Sequence, residues 1–293
     1  MKDIWHKPWL WIPPTWAHEL GPYGLKISSL FQHDEMPSWK PFRWKNLEFK
    51  NPLGLAGGLD KNGECVGDWW AHGAGFVEVG TVTPRPQTAN SGRILSRDYK
   101  TLSLWNRMGF PSHGALEVLA NLELIEEKKT PLFLNLGKNR TTPLAESFQD
   151  YLYLINFFKK HADAFVLNIS SPNTQDLRLL QKKEFLEKFL KPLVEKSPLP
   201  LLLKLSPDEE DSSLVEIVET SMQLGISGFV ATNTTLKRTK EVEYPAEGGL
   251  SGRPLKSRAL QCLDLLNRTL GQKKKDFLVI SAGGGMTSKD VFE

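Results

Sequence analysis

A few short stretches concentrate the side chains that could do chemistry. NPLGLAGGLDKNGE, residues 51–64, runs from an apolar stretch into Gly57 and Gly58 and then Asp60 and Lys61. Paired glycines let backbone N–H groups approach a flat or anionic ligand, and a lysine at a strand end can pair with a carboxylate. A tight turn carrying a solvated lysine is the plainer reading of the same residues. NISSPNT, residues 168–174, sets Asn168 and Asn173 beside the hydroxyls of Ser170, Ser171 and Thr174. Amides suit the edges of a planar heterocycle, and a serine hydroxyl stands where a base could act, although such a loop can also be ordinary turn chemistry. Asn106-Arg107-Met108-Gly109-Phe110 and Thr232-Asn233-Thr234-Thr235 add groups that could equally be caps or turns. Lys204, inside apolar LLLKL, is harder to treat as incidental. An unpaired buried ammonium is costly, so it should face an anion or an electron-rich ring.

The elements that must position these groups are short strands. From about residue 52 onward, β-branched or Leu-rich runs alternate with longer amphipathic stretches, the pattern of βα units around a parallel sheet. Seven strands are predicted: Leu53–Ala56, Phe76–Gly80, Leu132–Leu136, Ala164–Ile169, Leu201–Leu205, Gly228–Ala231 and Leu278–Ser281. Glu146–Lys160, Lys182–Lys196 and Ser212–Leu224 carry apolar residues at helical spacing. The expected fold is an α/β, (β/α)8 TIM barrel, whose C-terminal strand ends form the active face. An open doubly wound sheet stays as the alternative, since periodicity does not show closure. After the seventh strand come Gly283, Gly284 and Gly285, and the chain stops at Glu293. The last βα unit is therefore not read, and the first and seventh strands are expected to keep unpaired edges. The expected division is an N-terminal helical element over residues 1–40 and an incomplete barrel over 41–293.

Composition narrows the function. With 293 residues, 40% of them hydrophobic, the chain can bury one large core, and a net charge of +3 offers no basic stripe for nucleic acid. Only Cys65 and Cys262 occur, far apart, so neither a disulfide framework nor a metal site is expected. No stretch approaches the roughly 18 to 20 apolar residues of a membrane span, and Pro8, Pro13 and Pro14 break any signal-peptide pattern. Trp5, Trp9, Trp11 and Trp16 crowd the N-terminus beside Lys2, His6 and Lys7. Indoles favour membrane–water interfaces, but they could equally pack on the barrel. Pro13, Pro14, Gly21 and Pro22 predict two short helices with breaks.

In order along the chain, NPLGLAGGLDKNGE, GTVTPRPQ, NRMGF, NLGKN, NISSPNT, ATNTT and GGLSGRPL resemble the motifs of the class 2 dihydroorotate dehydrogenases. The resemblance covers nearly the whole chain. It implies FMN across the barrel mouth, held by Gly57, Gly58, Thr81, Asn135, Asn168, Lys204, Thr232, Gly252 and Gly284. Lys204 would stabilise charge developing near the flavin's N1 and O2. It implies a substrate-binding set of Lys61, Asn106, Arg107, Met108, Gly109, Phe110, Asn168, Asn173, Asn233 and Thr234. Lys61 would meet the orotate carboxylate. Ser171 matches the family's base, which takes the C5 proton of dihydroorotate while hydride leaves C6; class 1 relatives use cysteine there. A serine needs onward relay of its own proton, expected through water and Thr174. Ala17-His18-Glu19 resembles the family's N-terminal motif, which puts His18 and Arg97 in a quinone site. The implied protein serves de novo pyrimidine (UMP) biosynthesis, reduces a membrane quinone, and sits peripherally on the cytoplasmic face of the inner membrane. Gln175-Asp176 departs from the family's usual Pro-Gly, and Pro111-Ser112 after NRMGF departs as well. Rival readings are another FMN barrel oxidoreductase and an inactive fragment that keeps only the pocket.

Overall fold

A computed structural model describes residues 11–32 and 37–292; Trp5, Trp9, Lys2, His6 and Lys7 lie outside them. Helix α1 (Pro14–Ser29) leads to a hairpin of β1 (Phe42–Trp44) and β2 (Leu47–Phe49). There follow β3 (Gly54–Leu55), α2 (Val66–Ala71), β4 (Phe76–Val82), β5 (Leu95–Asp98), β6 (Ser103–Asn106) and α3 (Ala115–Glu123). The middle of the chain alternates strictly: β7 (Leu132–Leu136), α4 (Ser147–Phe158), β8 (Ala164–Leu167), α5 (Lys183–Lys196), β9 (Leu201–Lys204), α6 (Asp211–Leu224) and β10 (Gly228–Ala231). The chain then forms β11 (Gly249–Gly252), α7 (Arg253–Leu270), β12 (Leu278–Ser281) and α8 (Ser288–Phe292).

Strands β3, β4, β7, β8, β9, β10 and β12 form one parallel sheet, and their order across it is their order along the chain. A doubly wound sheet reverses direction at a switch point. This one never reverses, so the open alternative is set aside and the architecture is that of a (β/α) barrel wound one way. β3 and β12 are the end strands of the sheet. Leu132–Leu136, Gly228–Ala231 and Leu278–Ser281 have the limits expected from sequence. β4 runs on to Val82, whereas β3, β8 and β9 are shorter than expected. The backbone of β8 and β9 turns early into the mouth loops.

The structure corrects the reading of the N-terminus. The break expected at Gly21–Pro22 does not occur, and α1 continues through Pro22 to Ser29. An interior proline costs a backbone hydrogen bond, about 3 kcal/mol. Beyond Pro22 the helix is tied to the α2 region: Ser29 Oγ donates to Asp68 Oδ1 at 2.5 Å, and Ser28 Oγ and His72 Nε2 lie 2.8 Å apart.

Alternation along each strand separates two cores. Val77 and Val79 of β4 point out to the helices, as do Leu132, Leu134 and Leu136 of β7. Phe76, Phe133, Val166, Leu202 and Val230 point inward at the lower end of the barrel, where Trp44, Leu47 and Phe49 of the β1–β2 hairpin close it. Phe49 meets Phe76 and Phe133 edge-on, with ring centroids 6.1 and 6.3 Å apart. A second, antiparallel sheet in the order β11-β6-β5 packs against α1 through β5.

Candidate active site

Two residues further up each strand, the inward positions turn polar. Phe76 is followed by Glu78, Phe133 by Asn135, Val166 by Asn168, Leu202 by Lys204 and Val230 by Thr232, and all five polar residues are buried. Period-two geometry thus lays a polar floor directly on an apolar plug. The floor is cross-linked. Asn168 Nδ2 donates to Thr81 Oγ1 at 2.9 Å and Asn135 Oδ1 at 3.1 Å, while Thr81 Oγ1 donates to the same Asn135 oxygen at 2.6 Å. Asn135 Nδ2 donates to Glu78 Oε1 at 2.5 Å, and Lys204 Nζ lies 3.4 Å from that oxygen. Each buried group so paired avoids the cost of an unsatisfied polar atom.

The walls come from the strand-end loops. After β3, the Asp60 carboxylate accepts from the backbone N–H groups of Gly63, Glu64 and Cys65 at 2.8, 3.0 and 2.9 Å, which folds the loop tightly. Lys61 is carried on this turn, its Nζ donating to Gly58 O at 2.8 Å and lying 2.9 Å from His18 Nε2 on α1. Burial pushes Lys61 down to about 8, the adjacent Asp60 opposing the shift. Burial, and then the charge of Lys61, holds His18 down to about 4, so its imidazole is neutral and accepts. Asn173 Nδ2 donates to Asn106 Oδ1 at 2.8 Å, joining the loop after β8 to β6. Asn233 Nδ2 donates to Asn168 Oδ1 and Ser170 Oγ, each at 3.0 Å. Ser171 is buried, and its Oγ accepts the Asn173 backbone N–H at 3.2 Å.

One cavity of about 1180 Å³ between α1 and the barrel mouth gathers most of the residues singled out from sequence. Lys61, Asn106, Met108, Gly109, Phe110, Asn168, Ser171, Asn173, Asn233 and Thr234 line it with Gly57, Gly58, Thr81, Lys204 and Thr232, and so do His18 and Arg97. Arg97 also donates to Ile12 O, beside the start of α1. Five residues stand off the wall. Arg107 turns away to Glu247 Oε2 at 2.8 Å and Ser91 O at 2.6 Å. Asn135 lies in the floor network. Thr174 Oγ1 is buried with no hydrogen-bond partner among the described residues. Gly252 and Gly284 stand beside Ser251 and Gly283, which do line the cavity. Gly252 has φ +86°, and a Cβ there would lie 2.2 Å from Leu102 O, so the approach of β11 to β6 requires glycine.

Two residues outside the sequence-assigned set complete the site. Glu78 gives Lys204 its anion; its signal is an acid inside the strand FVEVG. Arg178 bridges three loops, donating to Ser170 O at 3.0 Å, Asp208 Oδ2 at 2.8 Å and Thr234 O at 3.2 Å. Its neighbour Asp176 adopts φ +56° at the start of a 3-10 turn (Leu177–Gln181), so the left-handed geometry that suits glycine is kept by a residue type that tolerates it.

The cavity suits a flat, polar-edged cofactor. Its volume lies just above the about 300–1,000 Å³ of ordinary small-molecule sites. Lys204 Nζ has one long contact, and Asn173 Oδ1 is buried without a partner among the described residues. At Gly57 a Cβ would lie 2.5 Å from Glu78 Oε1, so this wall must stay bare.

Comparison with known proteins identifies the family. A family model described as "Dihydroorotate dehydrogenase" matches residues 42–293. A dihydroorotate dehydrogenase (quinone) of Thermus thermophilus is 45% identical over 251 residues, 84% of this chain and 71% of that protein. One of Aliivibrio fischeri is 41% identical over 289 residues, 93% of this chain and 84% of that protein. The crystal structure of DHODH in complex with ferulenol from Eimeria tenella superposes with a TM-score of 0.85 at 29% identity, covering 96% of this chain and 82% of that one. By fold, by sequence and by the family model, the chain belongs to the dihydroorotate dehydrogenases and, among them, to the quinone-dependent class 2.

Proposed function

We infer that the chain oxidises dihydroorotate to orotate in pyrimidine biosynthesis, with a flavin, FMN, as hydride acceptor and a membrane quinone as final acceptor. The observation that carries this reading is the convergence of a lysine, four amides and a buried serine on one cavity, above Lys204. FMN, when bound, would supply the acceptor for the hydride leaving C6 and the redox link to the quinone. Lys204, paired with Glu78, would offer the flavin positive charge, and Thr81, Asn168 and Thr232 of the floor would offer it hydrogen bonds. Gly57 and Gly58 keep the wall open, and the backbone near Gly252 and Gly284 would border the cofactor's outer end. Lys61 would bind the substrate carboxylate, while Asn106, Asn173, Asn233 and Thr234 orient its ring. Met108, Gly109 and Phe110 shield the opposite side.

Ser171 Oγ takes the C5 proton. The Asn173 backbone N–H orients that oxygen, and the hydroxyl's own proton must pass on, for which the buried Thr174 Oγ1 of the same loop, unpartnered among the described residues, is a candidate through water. The α1 side of the cavity is mostly apolar, with Ala17, Pro22 and Leu25 beside His18 and Arg97, which suits a quinone ring.

The opposite face of α1 supports peripheral membrane contact. Trp16, Leu20, Tyr23, Ile27, Leu30 and Phe31 recur at helical spacing and are all exposed. No helix among the described residues is long and apolar enough to cross a membrane.

The test is the visible spectrum of the purified chain, followed anaerobically after dihydroorotate is added. Bound yellow flavin that bleaches is expected, with Ser171→Ala slowing bleaching by about 10²–10⁴-fold while the flavin stays bound. Protein that remains colourless with added FMN overturns the reading.

A further inference from the structure

Lys61 and His18 come from elements far apart in sequence, yet their nitrogens lie 2.9 Å apart at the cavity wall. Lys61 sits on the loop that Asp60 folds after β3, whereas His18 projects from α1. The Asp60 carboxylate accepts from three backbone N–H groups; its charge favours the Lys61 ammonium, but the hydrogen bonds that direct that group go elsewhere. The position of the ammonium is set by two acceptors, Gly58 O and the neutral His18 ring. An ammonium has three N–H bonds at fixed angles. Once two are engaged, the direction of the third follows, and both residues line the cavity that holds Asn106, Ser171 and Asn173.

We propose that His18 is a positioning residue of the dihydroorotate site: by accepting from Lys61 Nζ it aims the remaining N–H at the substrate carboxylate, which makes α1 a structural part of that site as well as of the quinone passage. This rests on the reading of Lys61 given above. Without His18, a lysine on a flexible four-carbon stem loses one of its two restraints. The helix itself stays docked, because Arg97 to Ile12 O, Ser29 to Asp68 and Ser28 to His72 hold it independently.

The experiment is calorimetric titration of orotate into the FMN-loaded full chain, with no quinone present. His18→Ala is expected to weaken orotate binding about 3- to 10-fold, the range of one hydrogen bond. His18→Gln, which keeps an acceptor at similar reach, is expected to recover most of it. In a Lys61→Met background, His18→Ala should add no further loss, a coupling that general damage to the helix would not produce. Equal orotate affinity in His18→Ala and the unaltered chain overturns the proposal, as does full additivity with Lys61→Met. Failure of the unaltered chain to bind orotate instead overturns the functional reading on which the proposal stands.

Discussion

Lys204 Nζ lies 3.4 Å from Glu78 Oε1, although β7 and β8 separate their strands in the sheet. In a flat sheet three strand spacings would hold β4 and β9 roughly 14 Å apart. Curling of the sheet turns both inward positions toward a common centre and brings an acid and a base into contact. Removing one partner of a buried pair costs about 3–5 kcal/mol, whereas replacing both can be nearly neutral. Glu78→Gln is therefore expected to lower unfolding stability by about 3 kcal/mol in urea titrations. Glu78→Gln combined with Lys204→Met should regain most of that stability without regaining normal flavin affinity. A neutral Glu78→Gln variant would show that Lys204 does not depend on this pair.

Lys61 gives orotate binding a defined pH dependence. Burial is the main cause of its lowered value, about 8, and only the ammonium form can pair with a carboxylate. As pH rises through 8, the free protein loses that proton, so affinity should fall by up to tenfold per unit until the higher value of the orotate complex is passed. Titrations between roughly pH 7 and 9 should show this loss. Lys61→Arg, charged throughout that range, should give a flat profile; a flat profile in the unaltered chain would sink the assignment.

Arg178 joins the loop of Ser171 to the loop of Thr234 through two carbonyls and anchors both to Asp208. Arg178→Lys keeps the charge but cannot span three acceptors with one planar fork. The expected result is a fall in kcat of about tenfold or more, because small misplacement of reacting groups is costly, with little change in bound flavin. Unchanged kcat would mean that the loops are held by other contacts.

The exposed stripe on α1 predicts membrane behaviour separable from chemistry. Ile27→Glu places a charge on the outer face, away from the cavity-lining side. Co-sedimentation with anionic lipid vesicles should drop several-fold, while turnover with a water-soluble quinone analogue stays unchanged. Retained co-sedimentation would assign membrane contact to another surface.

Much of this protein is written locally in its sequence. Runs such as LFLNL and LLLKL specify strands because alternate side chains must face opposite sides, and Lys204 stands out because a charge interrupts an otherwise apolar run. Gly57, Lys61, Ser171 and Asn233 can be placed at strand ends from the sequence, but there turn chemistry is as good a local reading, and only the family's motifs suggest roles for them. The rest depends on which faces meet, and that is settled over long separations. β6 pairs with β11, which joins Asn106 to Gly249, and no local periodicity encodes such a partner. Helix α1 runs through Pro22 despite a local penalty, and its far end is tied to α2 by Ser29 and Asp68, a contact no local pattern announces. The one-way order of seven strands, the meeting of Glu78 with Lys204 and the reach of His18 to Lys61 all follow from curling the sheet and laying α1 across its mouth. Periodicity tells each element which side to bury; only packing decides what that side is buried against.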